Sequence, residues 1–178
     1  MGNCEFCKKP AGFLRSTHKE CKSQHNEASN KIVTLVAKIG ANGGDLSLLE
    51  NAITKSASDG FIGSGRKNQL VVRGWEKAVE KAFDDGVLTE DEEQNLTNLM
   101  SHLSLSQAQL DCNGAYTKIV KGGVLRDILE GTIPERVKID GNLPFNLQKT
   151  EKIIWVFQDV NYYEQKKRTQ YVGGSQGV

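Results

Sequence analysis

Apolar residues recur at helical spacing from about residue 27, with Ile32, Leu35, Val36 and Ile39 at i, i+3, i+4 and i+7. This stripe is expected to stop at Gly40 and at the Asn42-Gly43-Gly44 turn. Asp45 then caps a second helix that turns Leu46, Leu49, Ala52 and Ile53 inward and ends at Asp59-Gly60. A third helix, about Lys67 to Asp84, places Val71, Trp75, Ala78, Val79 and Ala82 on one side. Thr89 and Glu92 form a capping box that opens a fourth helix carrying Leu96, Leu99, Met100 and Leu103. Ser106 and Gln109 form another, with Leu105 and Leu110 spaced for a hydrophobic staple. A bundle of about five or six helices follows.

Past Gly131-Thr132-Ile133-Pro134 the period changes from 3.6 to 2. Val137 and Ile139 alternate with charged residues, and Ile153, Trp155 and Phe157 alternate along Lys152 to Val160. A second extended run, Arg168 to Val172, follows a polar and aromatic connection over 161–167. Two or three short strands leave an open edge. The chain is therefore expected to end inside an incomplete sheet.

The first two dozen residues show neither period, and their cysteines take its place. Three of the four, Cys4, Cys7 and Cys21, lie within 21 residues, and only Cys112 lies elsewhere. Three thiols close together in a reducing compartment point to metal. With His18 the pattern is C-x2-C-x10-H-x2-C, two ligand pairs of the kind that close tetrahedrally on one zinc ion. His25 is the competing fourth ligand. Four protein donors leave no open coordination position, so the zinc is structural. Phe13 and Leu14 are expected to cover the site, and Lys8, Lys9, Arg15, Lys19 and Lys22 to offset the charge of three thiolates. So short a module cannot bury enough apolar surface to fold alone, and a chelator is expected to melt it first.

Charge and composition narrow the choice of function. Lys and Arg total 23 against 22 Asp and Glu, so the chain lacks the cationic excess that drives non-specific nucleic-acid binding. No run approaches the roughly 18 apolar residues of a membrane span, and the N-terminus has no apolar signal core. A cytoplasmic location is expected. Met1-Gly2-Asn3 opens like a myristoylation site, but Phe6 stands where that motif wants Ser or Thr. The related segments at 58–63 and 84–89 each invite a calcium-loop reading. Lys81 and Phe83 in one, and Lys55, Ala57 and Arg66 in the other, occupy positions that need oxygen ligands, so calcium is not expected. The bland alternative is a helix stop, a turn and one apolar contact.

The stretch Phe83-Asp84-Asp85-Gly86-Val87-Leu88-Thr89-Glu90-Asp91-Glu92-Glu93, followed by Leu96, Leu99 and Leu103, resembles a helix pair of TerB-like tellurite-resistance domains. That resemblance implies a helical bundle and carries no ligand set to this chain. The segments Trp155 to Gln165 and Tyr171-Val172-Gly173-Gly174-Ser175 are similar to the leading strands of uncharacterised bacterial proteins that join an N-terminal zinc motif to a pleckstrin-homology-like sheet. The expected organisation is a zinc-finger-like module at 1–25, a TerB-like bundle at 27–131, and the start of a pleckstrin-homology-like domain at 135–178. The fold class is mainly α with a short C-terminal β-hairpin.

No nucleophile, base and orienter stand at recognisable spacing, so an enzyme is not expected and no catalytic residue is assigned. His102 is read as a surface or cap residue, and Cys112 as a small buried hydrophobe. The leading expectation is a non-enzymatic zinc-binding interaction or adaptor protein with an unidentified protein partner. The alternative is a nucleic-acid binder. It would use the basic zinc module together with Trp155, Tyr162, Tyr163 and Tyr171 beside Lys166-Lys167-Arg168.

Overall fold

The computed structural model describes residues 2–12 and 15–132, together with the backbone of 162–166 and 169–173. Phe13, Leu14 and the alternating run Lys152 to Val160 lie outside the described residues. The chain divides into two compact units, Met1–Arg126 and Asp127–Val178. The described part is mainly α-helical.

Six helices are present among the described residues: α1 (Lys19–Asn42), α2 (Leu46–Asp59), α3 (Ser64–Ala82), α4 (Glu90–His102), the single turn α5 (Gln107–Leu110) and α6 (Ala115–Leu129). Helix α1 is the spine of the first unit and packs against α2, α3 and α4. Its apolar stripe of Ile32, Val33 and Val36 meets Trp75, Ala78 and Val79 of α3 in a single core that also takes in Leu96, Leu99 and Leu110. The Trp75 indole is buried, and its Nε1–H donates to the Leu96 carbonyl at 3.2 Å. A buried N–H therefore keeps a partner.

Helix boundaries follow the local chemistry. Asp45 Oδ1 accepts from the Leu48 amide, and both capping boxes form, at Thr89/Glu92 and at Ser106/Gln109. Two expectations change. Helix α1 begins eight residues earlier than its apolar stripe, because residues 19–26 form its first turns without facing a hydrophobic core. It also runs through Gly40, which is a buried packing position and not a stop. A Cβ there would lie 2.6 Å from the Ala78 Cβ and 2.9 Å from Leu99 Cδ2. The turn comes at Gly43, whose φ of 72° suits the residue after a helix end.

The two Asp-Gly segments share one feature of packing. After α2, Phe61 is exposed and Ile62 buried; after α3, Val87 is exposed and Leu88 buried. Each is a helix stop followed by one anchoring side chain. Helix α6, which the apolar spacing did not single out, is tied to the bundle by Arg126. Its guanidinium donates to Glu93 Oε2 at 2.7 Å and to the Leu88 carbonyl at 3.3 Å. Cys112, expected to be buried, is exposed, and its thiol donates to the Ala108 carbonyl at 3.3 Å. His102 lies at the end of α4, where its Nε2 is 3.4 Å from Glu50 Oε2.

In the second unit, strands β1 (Tyr162–Lys166) and β2 (Thr169–Gly173) pair antiparallel, with Tyr162 opposite Gly173 and Lys166 opposite Thr169. The second strand lies where the sequence placed it. The first occupies residues expected to be the connection, consistent with the strand preference of Tyr162-Tyr163.

Gly74 is, with Gly40, a point of close approach in the α1–α3 crossing. A Cβ there would sit 2.6 Å from Val36 Cβ and 3.0 Å from the Val33 carbonyl oxygen, which is backbone and cannot swing aside. Gly74→Ala is expected to cost about 1–3 kcal/mol in denaturant unfolding despite the better helix propensity of Ala. Gly65→Ala, with nothing within 4 Å of the added atom, is expected to be neutral or slightly stabilising.

Candidate metal centre

The chain from Gly2 to Ala11 folds into a tight knuckle. The Cys4 amide donates to the Lys9 carbonyl at 2.8 Å, the Lys8 amide to the Cys4 carbonyl at 2.9 Å, and the Ala11 amide to the Gly2 carbonyl at 2.9 Å. Lys8 adopts φ 62°, a left-handed conformation that reverses the chain directly after the second cysteine. Its ammonium donates to the Glu5 carbonyl at 2.8 Å. The Glu5 amide, donating to the Ser16 carbonyl at 2.9 Å, brings the returning chain back to the knuckle.

The second ligand pair is built on a helix start. His18 is the N-cap of α1, with extended backbone (φ −81°, ψ 144°), and Cys21 is its third residue. N-cap and N3 side chains meet across the helix entrance, the same proximity that capping boxes use. Here that proximity serves the sulfur cluster, since His18 makes no side-chain cap bond. The spacing H-x2-C is thus a helix N-terminus in which both reciprocal positions carry metal donors.

One donor atom from each of Cys4, Cys7, His18 and Cys21 lies within 4.8 Å of the other three. His18 Nδ1 is 3.4 Å from Cys7 Sγ and 3.6 Å from Cys21 Sγ. A tetrahedral ion bonded to sulfur at about 2.3 Å and to nitrogen at about 2.0–2.1 Å separates the two donors by about 3.6 Å. His18 Nδ1 therefore already stands at coordination spacing from the Cys7 and Cys21 sulfurs. The other ring nitrogen, Nε2, lies 3.0 Å from the Pro10 carbonyl, which can only accept. It must carry a proton, and in the neutral ring this leaves the Nδ1 lone pair directed at the sulfurs, the arrangement by which a backbone carbonyl orients a ligating histidine.

The cysteines are held differently. Cys4 is fully buried. Burial pushes its thiol up, but the amides of Cys7, His18 and Phe6 donate to the sulfur and bring it down to about 6. Burial, followed by the neighbouring Cys7 and Cys4 sulfurs, pushes the Cys21 thiol up to about 11. The Pro10 carbonyl, then the Cys7 sulfur, raise the His18 imidazole. Three sulfurs so close cannot all be anionic without a cation among them, a charge that a divalent ion would supply. The lysines and Arg15 expected to balance it are all exposed.

His25, the competing ligand, has another task. Its Nδ1 lies 2.8 Å from the Gly60 carbonyl, and its ring stacks against Phe6 with centroids 4.7 Å apart. Phe6 also approaches Phe61, at 6.5 Å. Phe6 sits between the two knuckle cysteines, so this aromatic contact joins the metal loop to the α2–α3 turn. The role of Phe6 and His25 escaped the sequence reading, although His25 stands one helical turn after Cys21 on the same face of α1. No protein-family model, curated protein or solved structure matches this chain.

The two histidines are expected to separate cleanly under substitution. His25→Ala should leave metal content, read by inductively coupled plasma mass spectrometry, unchanged. It should lower unfolding stability by about 1–2 kcal/mol through the lost Gly60 and Phe6 contacts. His18→Ala should abolish stoichiometric metal.

Proposed function

We propose that Cys4, Cys7, His18 and Cys21 hold one structural zinc ion, and that the chain is a non-enzymatic interaction or adaptor protein whose docking surface is set by that metal. The observation that carries the reading is the convergence of three sulfurs and one oriented imidazole nitrogen at coordination spacing. Three thiolates with one imidazole form a donor set typical of zinc. With four protein donors the coordination shell is full, which favours a structural over a catalytic ion.

The rest of the described chain supports a non-catalytic role. His25 is engaged with Gly60 and His102 with Glu50, and the exposed Cys112 bonds to a backbone carbonyl of its own helical turn. No helix among the described residues is long and apolar enough to cross a membrane. The motifs Phe83 to Glu93 and Tyr171-Val172-Gly173-Gly174-Ser175 support placement beside TerB-like and pleckstrin-homology-like bacterial proteins.

Protein purified without chelators is expected to carry about one zinc per chain, falling to near zero in Cys4→Ser, Cys7→Ser. Cobalt substitution should give the ligand-field bands of a four-coordinate site, and a strong chelator should lower the melting temperature of the helical unit. Absence of bound metal in the unsubstituted chain, or metal content indifferent to the cysteines, would overturn the zinc assignment. Partners captured by the unsubstituted chain should be lost by the double-serine variant. An unchanged partner list would move docking to the helices.

A further inference from the structure

A polar cleft of about 540 Å³ opens between α1 and α3, apart from the metal cluster. Its α3 wall carries Arg66, Arg73 and Lys77, and its α1 wall carries Asn26, Ser29 and Asn30. No acidic residue lines it. Among the described residues, no carboxylate stands within ion-pair distance of any of the three cations. Arg66 makes one hydrogen bond, to Gln69 at 3.1 Å. Arg73 and Lys77, like charges at i and i+4, repel one another.

The cleft floor supplies a second observation. Ser29 is buried, yet its Oγ has no hydrogen-bond partner. A buried hydroxyl without a partner costs about 1–3 kcal/mol, a cost that a hydrogen bond to a ligand would offset.

We propose that this cleft binds a small ligand carrying two or more linked phosphate groups. Arg73 and Lys77 stand one helical turn apart, close enough to share a single phosphate. Arg66 lies two turns toward the helix N-terminus, about 10 Å from Arg73 along the axis, beyond the reach of that same group. The side-chain amides of Asn26 and Asn30, also one turn apart, supply neutral donors from the facing wall. Arginine forks and a lysine point charge are the usual partners of phosphate oxygens. A volume of this size falls in the small-ligand range. No Phe, Tyr or Trp lines the cleft, and the one ring that does, His25, is stacked on Phe6, so the wall lacks a platform for successive bases. An oligophosphate fits these features better than a nucleic-acid strand.

Titration calorimetry on the metal-loaded full chain tests the proposal with four probes: inorganic tripolyphosphate, ATP, orthophosphate and a mixed single-stranded oligonucleotide of about 20 nucleotides. Tripolyphosphate and ATP are expected to bind one per chain, and orthophosphate at least about tenfold more weakly. Arg73→Glu, Lys77→Glu should weaken tripolyphosphate by about tenfold or more, while Lys55→Glu, an exposed charge on α2 outside the cleft, should leave it unchanged. Ser29→Ala should raise unfolding stability while weakening the ligand, a pair of effects that general surface charge does not produce. Equal affinity in the Arg73/Lys77 variant, no heat with tripolyphosphate at about 1 mM, or saturable binding to the oligonucleotide alone would each overturn it.

Discussion

Cys21 is the point through which the first unit is organised. It is both a member of the sulfur cluster and the third residue of α1, the helix that touches α2, α3 and α4. Whatever closes the cluster also fixes where α1 begins and how its first two turns stand over the turn between α2 and α3. Those turns carry little apolar surface, so hydrophobic burial does not hold them in place. The sulfur cluster meets them on one side, through His18 and Cys21, and the contact of Phe6 with His25 meets them on the other. The metal module is accordingly continuous with the helices, and not a separate bead on a linker.

Beyond its first turns, α1 is held by close approach. Glycines at 40 and 74 let it press onto α3 and α4 at distances that a Cβ would forbid, and the surrounding Ile32, Val36, Trp75, Ala78 and Leu99 exclude water. Burial of this kind contributes roughly 25 cal/mol per Å² of apolar surface, while close packing selects one register among many. A polar cleft lies between the same two helices, with Ser29 in its lining.

Much of this could be read from the residue order. The ligand set, both capping boxes, the Asp45 cap and the core faces of α2, α3 and α4 rest on local spacing, and local spacing is what a linear pattern records. Gly40 was misread because a glycine in a helical stripe signals either a stop or a close crossing, and only the neighbouring helix distinguishes them. Cys112 was misread because the type of residue says little about burial at a loop's edge. Helix α6 was missed because Gly122-Gly123 interrupts its apolar stripe. Gly122 lies against the Phe83 ring, where a small residue is required.

By itself the sequence determined which four side chains are chemically fit to share a tetrahedral ion, because a thiolate and imidazole set at C-x2-C and H-x2-C spacing is a property of short turns and a helix start. It also determined that helices would form, since periodicity and caps act within a few residues. Tertiary structure decided that His25 engages the Gly60 carbonyl, that Phe6 docks against it, and that Arg66, Arg73 and Lys77 face Asn26 and Asn30 across one cleft. Those outcomes depend on where separate helices cross, and the crossing is set by contacts between residues far apart along the chain.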